Sequence, residues 1–377
     1  MMNIGMLYRF EIKKILKNRL AIAMMIFTII MVFIEAFAPG LITTREMAKA
    51  QKTLEGRQID DSLLQEMYPL LLENGRTWNA DNGKYYGIAH LERMIISDDD
   101  ANLADYSAKD LYEKRKEDIF AEMEKDALDS QELAWWKQQE SKIRLPFVYH
   151  YSEGALNLAQ GLSGILLCIM LISTLCLSTI FTVEHRQRTD QIVLSCRNGR
   201  EITFLVKIAA GLSTVIGLSV LSVALLAVLI ILLYGLDGMN AIVQLELPMS
   251  AYPLTMGQFI AIQMVIIFTA GILFATFAMT VSEVLKNSMA TTGIMVGLFI
   301  FSQVEIIPPQ YRIMLQIRSM LPSNQSSVWA LAEHRLIHLG DIMVTGFAAA
   351  PVIYILISIL FIVIGGVIYN RFQVSGR

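Results

Sequence analysis

The sequence predicts an all-α membrane protein of six transmembrane helices, with an amphipathic N-terminal helix and a mostly helical exterior domain. Three observations predict it. Hydrophobic residues make up 54% of the 377 and charged residues only 17%, and mean hydropathy is +0.50, the composition of a polytopic membrane chain rather than of a soluble core. The apolar residues gather in runs long enough to cross a hydrocarbon core of about 30 Å. The charge is divided along the chain: residues 41–156 hold 23 Asp/Glu and 15 Lys/Arg, a balance of −8, and the remainder stands at +5. The expected organisation is therefore 1–40 for the N-terminal helix and first span, 41–156 for the exterior helical domain, and 157–377 for a five-span bundle.

Residues 4–20 read as a basic helix at the membrane interface. Ile4, Tyr8, Ile12, Ile15 and Leu16 share one face, and Arg9, Lys13 and Lys17 another. The first span follows from 20 to about 38 and stops at Pro39 and Gly40. Glu35 lies near its outer end, and an ionisable group inside a span is a functional candidate by default. In the acidic segment, helical patterns recur over 43–56, 60–74, 84–96, 108–127 and 130–143. Ser107 with Asp110, and Asp129 with Glu132, spell capping boxes at two helix starts. Lys114, Arg115 and Lys116 alternate with acids and read as a solvated helix face. Trp135 and Trp136 suit either core packing or a ligand or membrane surface.

The later spans are expected over 158–183, 204–234, 257–281, 289–307 and 347–369. Gly211 and Gly217 offer close helix contact in the second of these. The run from 289 is interrupted, with Gln303, Glu305, Pro308 and Pro309 crowding its outer end. Residues 308–345 read as short exterior helices broken at Pro322. His334 and His338 stand four apart, as two imidazoles on one helix face would, but no cysteine is near and an interfacial helix is the plainer expectation. Segments expected inside carry twelve Lys/Arg, against three in the short outside loops, so both termini are expected in the cytoplasm. The three cysteines, Cys168, Cys176 and Cys196, all lie outside the acidic segment. Cys168 and Cys176 stand about 12 Å apart along one helix, so no disulfide framework is expected.

One charged run separates two long apolar segments, the loop 184–203. It holds Glu184, Arg186, Arg188, Thr189, Arg197, Arg200 and Glu201 around a short apolar stretch, Ile192 to Leu194. Its pattern resembles the cytoplasmic loop of ABC-2 type permeases, the membrane subunits of ATP-driven exporters. The matching positions are Glu184, Thr189, Leu194, Ser195, Arg200, Glu201 and Lys207; Arg188 and Arg197 depart where Gly and Pro are usual. The resemblance implies that the N-terminal helix is an elbow helix. It implies an exporter permease that moves a hydrophobic or amphipathic cargo, such as a peptide, lipid-like or drug-like molecule. It implies a dimer with a second copy or a paralogue, seated on a cytoplasmic ATP-binding cassette ATPase in a bacterial cell membrane. The coupling contact would then fall on Glu184, Arg186, Arg188, Thr189, Arg197, Arg200 and Glu201, and Glu35 and Glu305 would flank the translocation path. A second reading is a membrane sensor whose exterior domain binds a ligand and signals through the cytoplasmic loops.

The chain has no Gly-x-x-x-x-Gly-Lys-Ser/Thr loop, so ATP would be bound by the partner subunit and not here. Neither Gly-x-Ser-x-Gly nor His-Glu-x-x-His occurs, and no catalytic residue, resident cofactor, metal or nucleic-acid partner is expected.

Overall fold

The computed structural model describes residues 4–41, 45–74, 83–96, 106–126, 128–183, 199–303, 311–340 and 342–371. The chain opens with α1 (Ile4–Leu16) and turns at Asn18, whose side chain accepts from Leu20 N to cap α2 (Arg19–Phe37). Next come α3 (Arg45–Lys52), α4 (Asp61–Asn74), α5 (Tyr86–Ile96), α6 (Ala108–Lys125) and α7 (Ser130–Glu140). Both expected capping boxes are formed, Ser107 with Asp110 at α6 and Asp129 with Glu132 at α7. Three long helices follow: α8 (Glu153–Leu177), α9 (Gly199–Tyr234) and α10 (Met256–Leu285). At Lys286 the backbone is left-handed (φ 50°), which ends α10 and turns the chain into α11 (Ser288–Gln303). The last part holds α12 (Arg312–Ser319), α13 (Pro322–Gln325), the hairpin β1 (Ile337–Leu339) and β2 (Ile342–Val344), and α14 (Gly346–Arg371).

Five helices, α2, α8, α9, α10 and α14, are long and apolar enough to cross a bilayer, which makes the chain compatible with a multi-pass membrane protein. The sixth expected span is represented by α11. Its 16 residues reach about 24 Å, short of the hydrocarbon core, and 304–310 lie outside the described residues.

The helix α8 is the hub of the bundle and packs against α2, α9 and α10. Its most apolar stretch is 67% buried, against 22% for α2. Small residues allow this. A Cβ on Gly161 would fall 2.8 Å from Leu226 Cδ2, and one on Gly211 would fall 2.5 Å from Met279 Sδ, so both glycines set close helix crossings. Gly217 meets nothing within 4 Å and plays no such part. Polar ties cross the apolar interior: Gln263 Nε2 donates to Ser326 O at 2.6 Å, and Ser282 Oγ to Ser178 O at 2.8 Å.

The α3–α7 segment has its own core around Ile59, Leu63, Met67, Ile88, Leu111 and Ile119, yet it does not end at its own surface. It is fixed to the two connections on its side of the bundle. Arg115, 1% exposed, reaches Pro248 O and Ser250 O. Trp136, fully buried, donates Nε1–H to His334 O at 2.7 Å. Arg312 pairs with Glu132 and Arg335 with Asp126. The expectation of a solvated face at Lys114, Arg115 and Lys116 is thus corrected at Arg115. The open choice for Trp136 falls to core packing.

A second correction concerns 308–345. Short helices form as far as Ala332, the last a 3-10 helix over Val328–Ala332, but 337–344 is an antiparallel hairpin with Ile337 opposite Val344. β-Branched Ile337, Ile342 and Val344 favour strand, and Gly340 adopts φ +66° at the turn. His334 and His338 therefore do not share a helix face.

Candidate functional site

The bundle has two ends, one carrying α3–α7 and one, the base, where α8 stops and α9 begins. Of the loop residues singled out from sequence, Glu184, Arg186, Arg188, Thr189 and Arg197 lie outside the described residues. Arg200 stands in the first turn of α9, and Glu201 beside it is exposed. The helix α1 packs along α9 at the base with Tyr8, Ile12 and Ile15 turned inward, while Ile4 and Leu16 of the expected apolar stripe stay exposed. Glu11, 2% exposed, is buried there with Lys207, 0% exposed. Lys207 Nζ stands 3.5 Å from Glu11 Oε1 and donates to Ile180 O at 3.0 Å. Phe181, 5.5 Å from the ammonium, stacks on Phe204 and meets Tyr369. One lysine therefore joins α1, the end of α8 and the start of α9, the last two of which bracket the charged loop in sequence.

At the other end a cavity of about 480 Å³ lies between the bundle and the α3–α7 segment. Glu35 lines it; Glu305 lies outside the described residues. The side chain of Glu35 rests in a notch of α8. A Cβ on Gly164 would fall 3.0 Å from Glu35 Cδ, so glycine is needed there to seat it. Glu153 from the first turn of α8 and Glu246 from the connection before α10 line the same cavity. Glu246 accepts from Ser152 Oγ at 2.5 Å; burial raises its carboxyl above the usual range, and the Ser152 hydroxyl works against that shift. His90 also lines the cavity, and its imidazole is lowered by burial and by neighbouring Arg93, so it adds no positive charge at neutral pH.

Sequence reading missed Glu153, Glu246 and Asn157 at this cavity. A signal existed for Glu246, which with Asp237 is one of two acidic residues in the connection 235–255. Nothing in the sequence shows that this connection folds over α5 and α8.

A third cluster, Asp129, Glu132 and His338, has ligand atoms close enough to hold a metal ion. The donors are already engaged. Asp129 caps α7, and Glu132 accepts from Asp129 N, Leu336 N and Arg312. Arg312 fills the place of a cation, and the cluster reads as a structural joint.

His334 sits within that joint, 0% exposed, with neither ring nitrogen hydrogen-bonded and its ring edge-on to Trp136 at 5.1 Å. Burial, and then Arg335, pull its imidazole down to about 4. A base lowered on folding costs stability as pH falls from its unfolded value, near 6.5, through its folded one. Its loss is on the order of 3 kcal/mol. Glu92 opposes it. Burial raises that carboxyl to about 7, so its contribution is present below about 4.5 and lost as pH rises through 7. In a Glu92→Gln background the thermal midpoint should therefore fall steeply between pH 6.5 and 4, and His334→Phe should flatten that fall. A curve unchanged by His334→Phe would assign the acid sensitivity elsewhere.

No protein-family model, curated protein or solved structure matches the chain.

Proposed function

We propose that this chain is the membrane-spanning permease subunit of an ATP-driven exporter of the ABC-2 type. The observation that carries the reading is the base of the bundle, where α1, the end of α8 and the start of α9 are tied through buried Glu11 and Lys207. A soluble ATPase pressing on loop 184–203 would move these three segments together and tilt the helices above them. In this reading α11 belongs to the sixth span. Both termini face the cytoplasm, ATP stays with the partner ATPase, and a second copy or paralogue completes a dimer in the cell membrane. The cargo is hydrophobic or amphipathic. The cavity at the α3–α7 end also favours a ligand-sensing role, and a sensor would differ in needing no ATP turnover.

The test is co-purification with a cytoplasmic ATP-binding cassette ATPase, comparing the native chain with Arg197→Glu, Arg200→Glu. Like charges brought together at an interface cost several kcal/mol. Retention of the ATPase and stimulated ATP hydrolysis are expected to fall at least tenfold, with the elution profile of the permease unchanged. Full retention and unchanged hydrolysis would remove the coupling role from this loop.

A further inference from the structure

The geometry points to the cavity between the bundle and the α3–α7 segment as a binding site for an organic cation with an apolar body. Its volume, about 480 Å³, lies within the range of small-molecule sites. Three carboxylates line it, Glu35, Glu153 and Glu246, each from a different part of the chain, and among the described residues no Lys or Arg does. Among the described residues Glu35 has no hydrogen bond or ion pair, so its charge lacks a partner. A carboxylate there is costly to keep unless a cation joins it.

An independent observation marks the same place. Asn157 lines the cavity and is 4% exposed, yet its side-chain Nδ2 has no hydrogen-bond partner. A buried amide N–H left unpaired costs more than a made hydrogen bond is worth, and a hydrogen-bond acceptor on the apolar body of a bound ligand would satisfy it. Leu156, Leu245, Ile88 and the rings of Tyr86 and Tyr149 supply apolar and aromatic wall, which suits a hydrocarbon or aromatic body and a cation over a ring face. A bare metal ion does not suit the site. Among the described residues the cluster whose ligand atoms converge for one is Asp129, Glu132 and His338, not these carboxylates. Charge spread around a roomy apolar cavity matches a bulky cation instead.

The test is binding, so it stands apart from transport and from any ATPase. The purified full chain in phosphatidylcholine nanodiscs is titrated with ethidium, a cation whose fluorescence rises on leaving water, and empty nanodiscs are subtracted. Saturable binding is expected, with affinity at least tenfold weaker in Glu35→Gln, Glu246→Gln. Gln160→Lys, at an exposed position of the lining, places a fixed ammonium in the cavity and should abolish binding without touching the core. Glu113→Gln, on the outer face of α6, should leave it unchanged. The proposal is overturned if ethidium gives no saturable signal above empty nanodiscs. It is also overturned if Gln160→Lys binds as the native chain does, or if the anion 8-anilinonaphthalene-1-sulfonate competes at the same site.

Discussion

Replacing Arg115 by leucine is expected to destabilise the α3–α7 end of the protein by about 3–5 kcal/mol. The guanidinium is 1% exposed and its partner Glu140 7% exposed, at 2.5 Å. It also donates to Pro248 O at 2.6 Å and Ser250 O at 2.8 Å. Leucine removes the charge and leaves a buried carboxylate and Pro248 O without their donor, while Ser250 O keeps Gln244 Nε2, and each orphan costs more than a made hydrogen bond is worth. The neighbouring pair of Lys114 and Asp118 shows the contrast. It is 35% and 37% exposed on one helix face, and Lys114→Ala should cost no more than about 0.5 kcal/mol. Chymotryptic cleavage and thermal midpoint measure both. Arg115→Leu should open α6 and 235–255 to protease together, because the arginine is the buried tie between them, whereas Lys52 with Asp237 and Ser152 with Glu246 hold the same connection elsewhere. Adding Glu140→Leu should recover much of the loss, since a buried pair replaced by apolar groups is often close to neutral. A single variant as stable as the native chain would show that the connection 235–255 is held by its other contacts, Ser152 with Glu246 and Lys52 with Asp237 among them, and not by Arg115.

That arginine also shows where the sequence was legible and where it was not. Hydrophobic runs and capping boxes are local properties, and they placed five long helices and the starts of α6 and α7 within a few residues. Lys114, Arg115 and Lys116 are alike in local pattern. Only the return of 248–250 across the face of α6 buries the middle one, and that is a contact more than 130 residues away in sequence. The hairpin at 337–344 was missed for a related reason. His334 and His338 fit a helical period, but the left-handed turn at Gly340 and the β-branched residues around it decide the local structure. For the candidate site, Glu35 was visible because a carboxyl in an apolar span is conspicuous. Glu153, Glu246 and Asn157 were not, because their common cavity exists only after three distant segments meet. Lys207 was marked by its place after the charged loop, but its burial against Glu11 depends on α1 folding back along α9.

Lys207→Met is expected to loosen the base of the bundle by an amount similar to the Arg115 change, about 3–5 kcal/mol. Methionine fills the volume of the stem, so the loss comes from charge and hydrogen bonding rather than from a cavity. Ile180 O loses its donor, and Glu11, 2% exposed, keeps only Lys14, 3.4 Å from its other oxygen. Lys14 lies on the same helix as Glu11 and cannot replace a link between helices. The helix α1 should therefore detach first, read as faster cleavage near Asn18 and a lower thermal midpoint in detergent. Glu11→Leu added to Lys207→Met should restore most of the stability, because no buried carboxylate is then left behind. The double-mutant cycle isolates the pair. A coupling of at least about 1 kcal/mol is expected for two contacting buried charges, and a cycle that closes to zero would show that the apolar stripe of α1 alone holds it to α9. The repaired double variant also separates stability from mechanism. If the buried pair transmits the push of an ATPase, that variant should stay folded and keep its partner, yet show weaker cargo-stimulated ATP hydrolysis than the native chain. Unchanged stimulation in a fully stable double variant would leave the pair a purely structural clasp.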